Sequence, residues 1–314
     1  YTVDIGTNEA GNLVALGYQA TGGAFIYRRS IAKDVWGTDD PEAIGNIIGP
    51  GWDKFFDAAE DLREQGYAII SGDGDIWHAI EGSSEKGWIV DGKLFMDPDR
   101  EAFLDIAMLL KEKDYHNDTR DWTDAWFADM QDAGSKPVFG FFGPAWLINY
   151  VMAGNSGGSQ PGEGTYGDWA VSVPPVGFFW GGTWVLANRN SPHLEVIGDI
   201  IEWITLDSSE TGLQYFWANG TLWGPGGTKD TVASGTVMKK SDGTLDFLGG
   251  QDMFDVFVPA GDYATGRNKH QYDETINIYW RDQVREYTAG NKSRARAIAD
   301  FKQQVADNLD IPVN

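Results

Sequence analysis

Apolar and polar residues alternate along this chain with two different periods. Residues 13–16 and 24–27 have the two-residue alternation of short strands. After Asp40-Pro41, which is a helix start with proline in the first turn, apolar residues recur at helical spacing until Gly66. Strand and helix patterns then keep alternating, which predicts an open α/β sheet. The other predicted strands are residues 67–70, 137–142 and 169–173, and the other predicted helices cover residues 103–110, 122–130, 194–204 with Ser191 as its cap, 208–219, 276–287 and 295–309.

Six of the fourteen tryptophans fall in short, turn-rich segments, among them Trp122 and Trp126, which the pattern assigns to a helix. The remaining four lie at or beyond the ends of predicted strands, where α/β sheets bind ligands. Indole rings beside glycines and carboxylates suit a sugar, which offers an apolar face for stacking and a rim of hydroxyls for hydrogen bonds. These four residues are Trp77 after the Gly72-Asp73-Gly74-Asp75 turn, Trp146 after Gly143-Pro144, and Trp180 and Trp184 around Gly181-Gly182-Thr183.

Composition narrows the classes of ligand. The formal net charge of −23 excludes nucleic acid and anionic membrane surfaces as expected partners, because both require clustered Lys and Arg. The chain has no cysteine, so thiolate metal sites and disulfides are excluded within it. No run of eighteen apolar residues predicts a membrane span. The first residue is Tyr1 rather than Met, and we expect processing or truncation before it.

Known catalytic and metal motifs are absent from the sequence. It has no Gly-x-Ser-x-Gly elbow, no His-Glu-x-x-His and no phosphate-binding Walker loop. The four histidines lack ligand spacing, and Asp73 and Asp75 resemble a calcium loop without its later ligands, so we expect no metal and no cofactor. Forty-seven acidic residues still supply candidate carboxylate pairs. A glycoside hydrolase or lyase with an aromatic cleft, and an interaction protein whose tryptophans are all packed, therefore stay open.

Five segments carry a resemblance to a known family, in the same order along the chain. They are residues 18–29 at a lobe crossing, 52–55 (Trp-Asp-Lys-Phe) on a helix, 71–77 at a turn, 126–130 with 139–146 ending in Gly-Pro-x-Trp, and 169–174 leading to 180–184. With these segments the chain resembles the extracellular sugar-binding proteins of bacterial ABC importers, relatives of the maltose-binding protein.

The resemblance implies a periplasmic-binding-protein-like α/β fold with two lobes joined by a hinge, the first lobe being incomplete. It assigns residues 1–20 and 184–235 to the first lobe, and residues 24–180 and 250–314 to the second. An incomplete lobe predicts unpaired sheet edges and exposed apolar faces.

The resemblance also implies a function: a receptor without enzymatic activity that binds an oligosaccharide between the lobes and delivers it to the permease subunits of an ABC transporter. It implies an extracellular or periplasmic location, with the full-length form held at the membrane as a lipoprotein. Tryptophans would stack on the sugar, acids and Gln19 would bind hydroxyls, and the paired glycines would let the backbone approach it. The predicted ligand contacts are Trp146, Trp184, Trp77, Asp75, Gly182, Gly181, Trp180, Gln19, Asp73 and Trp126.

Overall fold

The computed structural model describes residues 1–8, 10–262 and 265–313. The helices are α1 (Thr2–Ile5), α2 (Arg29–Trp36), α3 (Pro41–Ile48), α4 (Trp52–Glu64), α5 (Asp73–Ser83), α6 (Pro98–Glu112), α7 (Asp124–Asp129), α8 (Ala145–Leu147), α9 (Leu194–Thr205), α10 (Leu213–Ala218), α11 (Gly235–Met238), α12 (Phe254–Ala260), α13 (Asp273–Thr288) and α14 (Arg294–Leu309). The strands are β1 (Leu16–Gln19), β2 (Ala24–Arg28), β3 (Ile89–Val90), β4 (Lys93–Leu94), β5 (Gly140–Gly143), β6 (Trp169–Ser172), β7 (Thr183–Val185), β8 (Thr244–Leu245) and β9 (Gln251–Asp252). A π-helical turn, Ile148–Met152, continues α8.

A three-stranded antiparallel sheet of order β5-β2-β6 forms the centre of the molecule. Every residue of β2 is buried, and its side chains alternate between two hydrophobic cores. Phe25 and Tyr27 contribute to one core, and Ala24 and Ile26 to the other. This alternation follows from the two-residue repeat of a strand that is covered on both faces. The predicted strand at residues 67–70 makes only single parallel bridges, from Ala68 to Val138 and from Ile70 to His116.

The helix predicted between Asp40-Pro41 and Gly66 is two helices, α3 and α4. Its start is as expected, because the Asp40 side chain accepts a hydrogen bond from Ala43 N at 2.9 Å. Residues 49–51, Gly-Pro-Gly, separate the two helices. Proline lacks the N–H that a continuous helix would need at this point, so the prediction of one helix is wrong.

The small sheet of β1 and β7 packs with α9 and α1. Helix α9 carries the predicted apolar face, but Leu194 and Ile200 on it are 46% and 50% exposed, and Trp203 elsewhere on the helix is 41% exposed. The N-cap of α9 is His193, and the Ser191 hydroxyl accepts a hydrogen bond from His193 N, so Ser191 is not the cap. The assignment of segments to two lobes stays a prediction.

None of the helices in the described residues is both long and apolar enough to cross a membrane.

Candidate ligand-binding site

A cavity of about 320 Å³ opens between α5, the start of α13 and the segment of residues 179–184. Helix α5 forms the first wall. Residues 269–281, before and along the start of α13, form the second, which we call the charged wall. Residues 179–184 form the third, which we call the glycine-rich wall. The predicted ligand contacts in its lining are Trp77, Trp180, Gly181, Gly182 and Trp184.

The glycine-rich wall owes its shape to backbone conformations that suit glycine. Gly181 and Gly182 have φ values of +80° and +126°. A Cβ on Gly182 would lie 2.5 Å from the Trp184 ring. Two hydrogen bonds hold the turn against Thr21. The Thr21 carbonyl accepts from Trp180 N at 3.1 Å, and the Thr21 hydroxyl donates to the Gly181 carbonyl at 2.9 Å. The sequence thus fixes the backbone between two indoles that line the same cavity.

The indole of Trp180 is held between aromatic neighbours. The His78 ring stacks on it with centroids 3.6 Å apart, and the Trp146 ring meets it edge-on at 4.7 Å. Trp146 Nε1 also donates to the Trp180 carbonyl at 3.1 Å. Trp122 stacks nearly parallel to Trp146, with centroids 6.1 Å apart. Trp146 therefore supports the cavity wall from outside the lining. Together, Trp146 and Trp122 form an aromatic surface next to Trp180.

Trp122 precedes α7 rather than lying within a helix, and it is 49% exposed. Its backbone has a φ of +64°, which is uncommon for a bulky residue. The expectation that it belongs to a packed helix is wrong. The half-exposed ring at the end of the aromatic surface was not among the predicted contacts.

Trp184 reaches the cavity from β7. Its indole N–H donates to the Thr2 carbonyl at 2.9 Å, and its backbone pairs with Gly17 across the β1–β7 ladder. These two restraints fix the ring plane before any ligand binds, which lowers the entropic cost of stacking.

The segment of residues 71–77 is the start of α5 and not a turn. The Asp75 carboxylate accepts from Gly72 N at 3.0 Å and from Trp126 Nε1 at 2.9 Å. Asp75 is 3% and Trp126 is 1% exposed, and both lie outside the cavity lining. The two side chains satisfy each other in the interior, so the structure does not bring them into this cavity, and their contact with ligand stays a prediction. Burial raises the pKa of Asp75 to about 7 despite both hydrogen bonds.

Trp77 is a core residue whose edge borders the cavity. It is 1% exposed and packs on Trp88 and Phe103, with ring centroids 6.2 Å and 4.8 Å away. The prediction that Trp77 lies beyond a strand end is wrong, because it is on the second turn of α5. Its ring is too enclosed to offer a sugar a full face.

Asp73 and Gln19 also lie outside the cavity lining. Asp73 is the first residue of α5, where its negative charge suits the helix dipole. Gln19 accepts from the Thr183 hydroxyl at 3.1 Å and donates to Asp230 at 2.8 Å. Gln19 therefore connects the glycine-rich wall to the neighbouring loop, which is a positioning role.

The charged wall contains residues that the sequence analysis missed. Asp273, Asn277 and Arg281 follow one another at four-residue spacing on α13 and line the cavity together. Lys269, in the segment before α13, pairs with Glu81 on α5. The sequence pattern held a signal for them, since a four-residue polar stripe on an amphipathic helix marks a second, non-core face. The predicted helix began at residue 276, three residues too late to include the first member of the stripe.

Three polar atoms in this lining lack a hydrogen-bond partner among the described residues. They are Asp273 Oδ1, Arg281 Nε and His78 Nε2, each inaccessible to solvent. Unpaired buried polar atoms are costly, and a bound ligand or an ordered water can supply the missing partners. The other Asp273 oxygen accepts from His270 N at 2.9 Å, so one carboxylate oxygen is paired and the other has no partner within the described residues.

Charges around the cavity compensate one another. Arg281 binds the Asp121 carboxylate through both guanidinium nitrogens, and His78 Nε2 lies 3.7 Å from the same carboxylate. Burial opposes ionisation of Asp121, but His78 and Arg281 outweigh it and hold its pKa well below the usual range. Burial likewise raises the pKa of Asp273 and lowers that of His78. The arrangement suits a neutral ligand with hydroxyl groups better than an ionic one.

No group of three or more His, Cys, Asp or Glu side chains in the described ranges has the geometry to hold a metal ion.

Residues 4–240 match the family model described as bacterial extracellular solute-binding protein. The chain belongs to this family. The match includes α5 and the glycine-rich wall, and it ends before α13. No curated protein sequence matches the chain.

Solved structures of solute-binding proteins share the fold. An extracellular solute-binding protein of family 1 has a TM-score of 0.77 at 17% identity and covers 98% of this chain and 75% of its own. The galacto-N-biose/lacto-N-biose I-binding protein of an ABC transporter from Bifidobacterium longum, in complex with lacto-N-biose, has a TM-score of 0.68 at 16% identity, with coverages of 100% and 76%. The ABC transporter-associated binding protein from B. animalis subsp. lactis, in complex with β-1,6-galactobiose, has a TM-score of 0.64 at 21% identity, with coverages of 98% and 77%.

These comparisons confirm the predicted family resemblance and the two-lobe, periplasmic-binding-protein-like α/β fold. The chain spans about three quarters of the length of these structures.

Proposed function

We propose that this solute-binding protein binds a neutral carbohydrate, an oligosaccharide, in the cavity between α5, α13 and residues 179–184. The observation that carries the proposal is the combination of two kinds of group in one cavity. The indole rings of Trp180 and Trp184 line the same cavity as Asp273, whose Oδ1 has no hydrogen-bond partner within the described residues. A pyranose ring needs both, an aromatic face for its C–H surface and an acceptor for its hydroxyls.

Two further polar groups support a sugar rather than another neutral solute. Arg281 Nε and His78 Nε2 are unpartnered within the described residues, and together with Asp273 they supply donors and an acceptor. Sugar hydroxyls both donate and accept, so they suit a lining that mixes donors with an acceptor.

We propose further that the protein delivers its ligand to the permease subunits of an ABC transporter. It would be exported to the cell exterior or the periplasm, and the full-length form would carry a lipid anchor. The family membership supports export, and the two ABC-transporter binding proteins with similar folds support delivery. Cell fractionation tests the location, and uptake of labelled sugar in a receptor deletion strain tests the delivery.

Isothermal titration calorimetry with neutral mono- and oligosaccharides tests the binding site. We expect Trp184→Ala to weaken sugar binding at least tenfold, because one indole stacking face is removed. Trp203→Ala is the matched control, since Trp203 is partly exposed on α9 and lies outside the cavity. Unchanged affinity in Trp184→Ala would refute the site, and absence of binding by every sugar to the unmodified protein would refute the proposed function.

The proposal is a receptor and not a hydrolase. A receptor releases its ligand intact, so chromatography of each sugar after incubation with the protein is expected to show the starting material alone. Glu81 is paired with Lys269, and this positive charge, against the opposing effect of burial, lowers the pKa of Glu81. Product formation that is lost in Asp273→Asn would support the hydrolase alternative instead.

A further inference from the structure

Arg281 brings a positive charge to the lining of the cavity, and the carboxylate that compensates this charge stands outside the lining. The guanidinium donates from Nη1 to Asp121 Oδ2 at 3.1 Å and from Nη2 to Asp121 Oδ1. The Arg281 side chain is 16% exposed and the Asp121 side chain is 7% exposed. Arg281 lines the cavity, whereas Asp121 does not. A ligand would therefore lie against the cation of this ion pair.

The ion pair packs against the first turn of α5, where a glycine leaves room for it. Gly74 is the second residue of this helix and is buried. A Cβ on Gly74 would lie 2.6 Å from both Arg281 Nη2 and Asp121 Oδ1. Glycine is less favourable than alanine in a helix, so the sequence places a poor helix former where a side chain would push the two partners apart. The negative charge of Asp121 also suits this end of the helix dipole.

Both partners of this pair are charged at physiological pH. Burial opposes ionisation of Asp121, but hydrogen bonds from His78 and Arg281 hold the pKa of the carboxyl below its usual range. Burial likewise opposes the charge of Arg281, and the contact with Asp121 raises the pKa of the guanidinium. Arg285 Nη2 lies 3.9 Å from the same carboxylate. The negative charge that faces Arg281 is therefore permanent, and it cancels the positive charge that the cavity would otherwise contain.

An anionic ligand would compete with this pair for the guanidinium. The planar fork of arginine binds a carboxylate through two parallel hydrogen bonds, and Asp121 already occupies the fork of Arg281 in this way. Lys269, in the same lining, is paired with Glu81. The lining also contains the carboxylate of Asp273, which would repel a ligand carboxylate placed beside it. A neutral hydroxyl meets none of these penalties.

We propose that Asp121 is a specificity-determining residue that makes the site select neutral sugars over uronic acids, because it occupies the guanidinium fork of Arg281 that would otherwise bind a sugar carboxylate. The inference rests on the proposed function and adds to it the residue that sets the charge of the accepted ligand. Asp121 acts through Arg281 and is a positioning residue, since it stands outside the cavity lining. Without it, the same cavity would present an uncompensated arginine to the ligand.

The test is isothermal titration calorimetry with pairs of sugars that differ only in a hydroxymethyl or a carboxylate group. The probes are glucose with glucuronate and galactose with galacturonate, each as the monosaccharide and as short oligomers. Asp121→Asn removes the counter-charge, and Gly74→Ala separates the pair while the net charge is kept. We expect both variants to raise the ratio of uronate affinity to neutral-sugar affinity about tenfold. The control is Asp282→Asn, which removes a 51% exposed carboxylate outside the lining and is expected to leave the ratio unchanged.

A double variant separates specificity from structure. Asp121→Asn combined with Arg281→Gln removes both charges, so we expect the affinity ratio to return to that of the unmodified protein. Thermal denaturation checks the folding of each variant, and Gly74→Ala decides the test if Asp121→Asn does not fold. An unchanged ratio in the folded single variants, or an equal loss of affinity for both sugars of a pair, would overturn the inference and leave the proposed function standing. No binding of any neutral sugar to the unmodified protein would overturn both.

Discussion

Replacing Asp273 by Asn separates ligand recognition from stability. The side chain is 5% exposed, one oxygen accepts from His270 N, and the other has no partner within the described residues. An amide keeps the first contact through its oxygen and turns an N–H₂ donor toward the ligand. Hydrogen bonds to charged groups contribute about 1.5–3 kcal/mol, so we expect sugar affinity to fall about 10- to 150-fold.

The stability of this variant is expected to move in the opposite direction. Burial raises the pKa of Asp273, so the folded protein binds that proton more tightly than the unfolded chain does. The unmodified protein therefore loses stability as pH rises from the usual Asp range through the raised pKa, and the Asn variant does not. The free energy of unfolding of Asp273→Asn is expected to equal or exceed that of the unmodified protein, with the difference growing across that pH window.

Two measurements decide this prediction: calorimetric titration with the best-binding sugar, and urea unfolding at several pH values. Glu112→Gln is the control, because it removes one exposed carboxylate on α6 and alters the net charge equally. Unchanged affinity in Asp273→Asn would refute the assignment of the free oxygen to ligand. A loss of stability that parallels the loss of affinity would show that the carboxylate is structural.

Two further substitutions test neighbouring parts of the account. Trp126→Phe leaves a buried Asp75 oxygen without its donor. We therefore expect the free energy of unfolding, measured with urea, to fall by about 1–3 kcal/mol while sugar affinity stays unchanged. A large fall in affinity would instead place Trp126 in the binding site. Gly182→Ala adds a Cβ at a φ of +126° and 2.5 Å from the Trp184 ring. We therefore expect sugar affinity to fall and the free energy of unfolding to fall by about 1–3 kcal/mol. Full retention of both would mean that the turn does not position Trp184.

The sequence predicted the parts of the fold that depend on local periodicity. The strand at residues 24–27 and the helix around residues 103–110 appear where the pattern placed them, as β2 and α6. The prediction of a turn at residues 71–77 was wrong for a physical reason. Two glycines and two acids suit a turn, but they also suit a helix N-terminus, where acids favour the dipole and cap the free N–H groups. Only the tertiary contact between Asp75 and Trp126 decides between the two.

The binding site was predictable only in part. Glycines paired between two tryptophans signal a backbone that needs positive φ, and residues 180–184 do form one cavity wall. Lys269 gave no such signal, because its importance depends on its ion pair with Glu81, which is 188 residues away along the chain. Burial of one carboxylate oxygen without a partner is a property of packing that composition and spacing do not contain.

A crystal structure of the protein with its best-binding oligosaccharide tests the central claim most directly. We expect one sugar ring stacked on Trp180 or Trp184, with a hydroxyl within hydrogen-bond distance of Asp273 Oδ1. A sugar bound elsewhere on the molecule, with that oxygen still unpartnered, would contradict it.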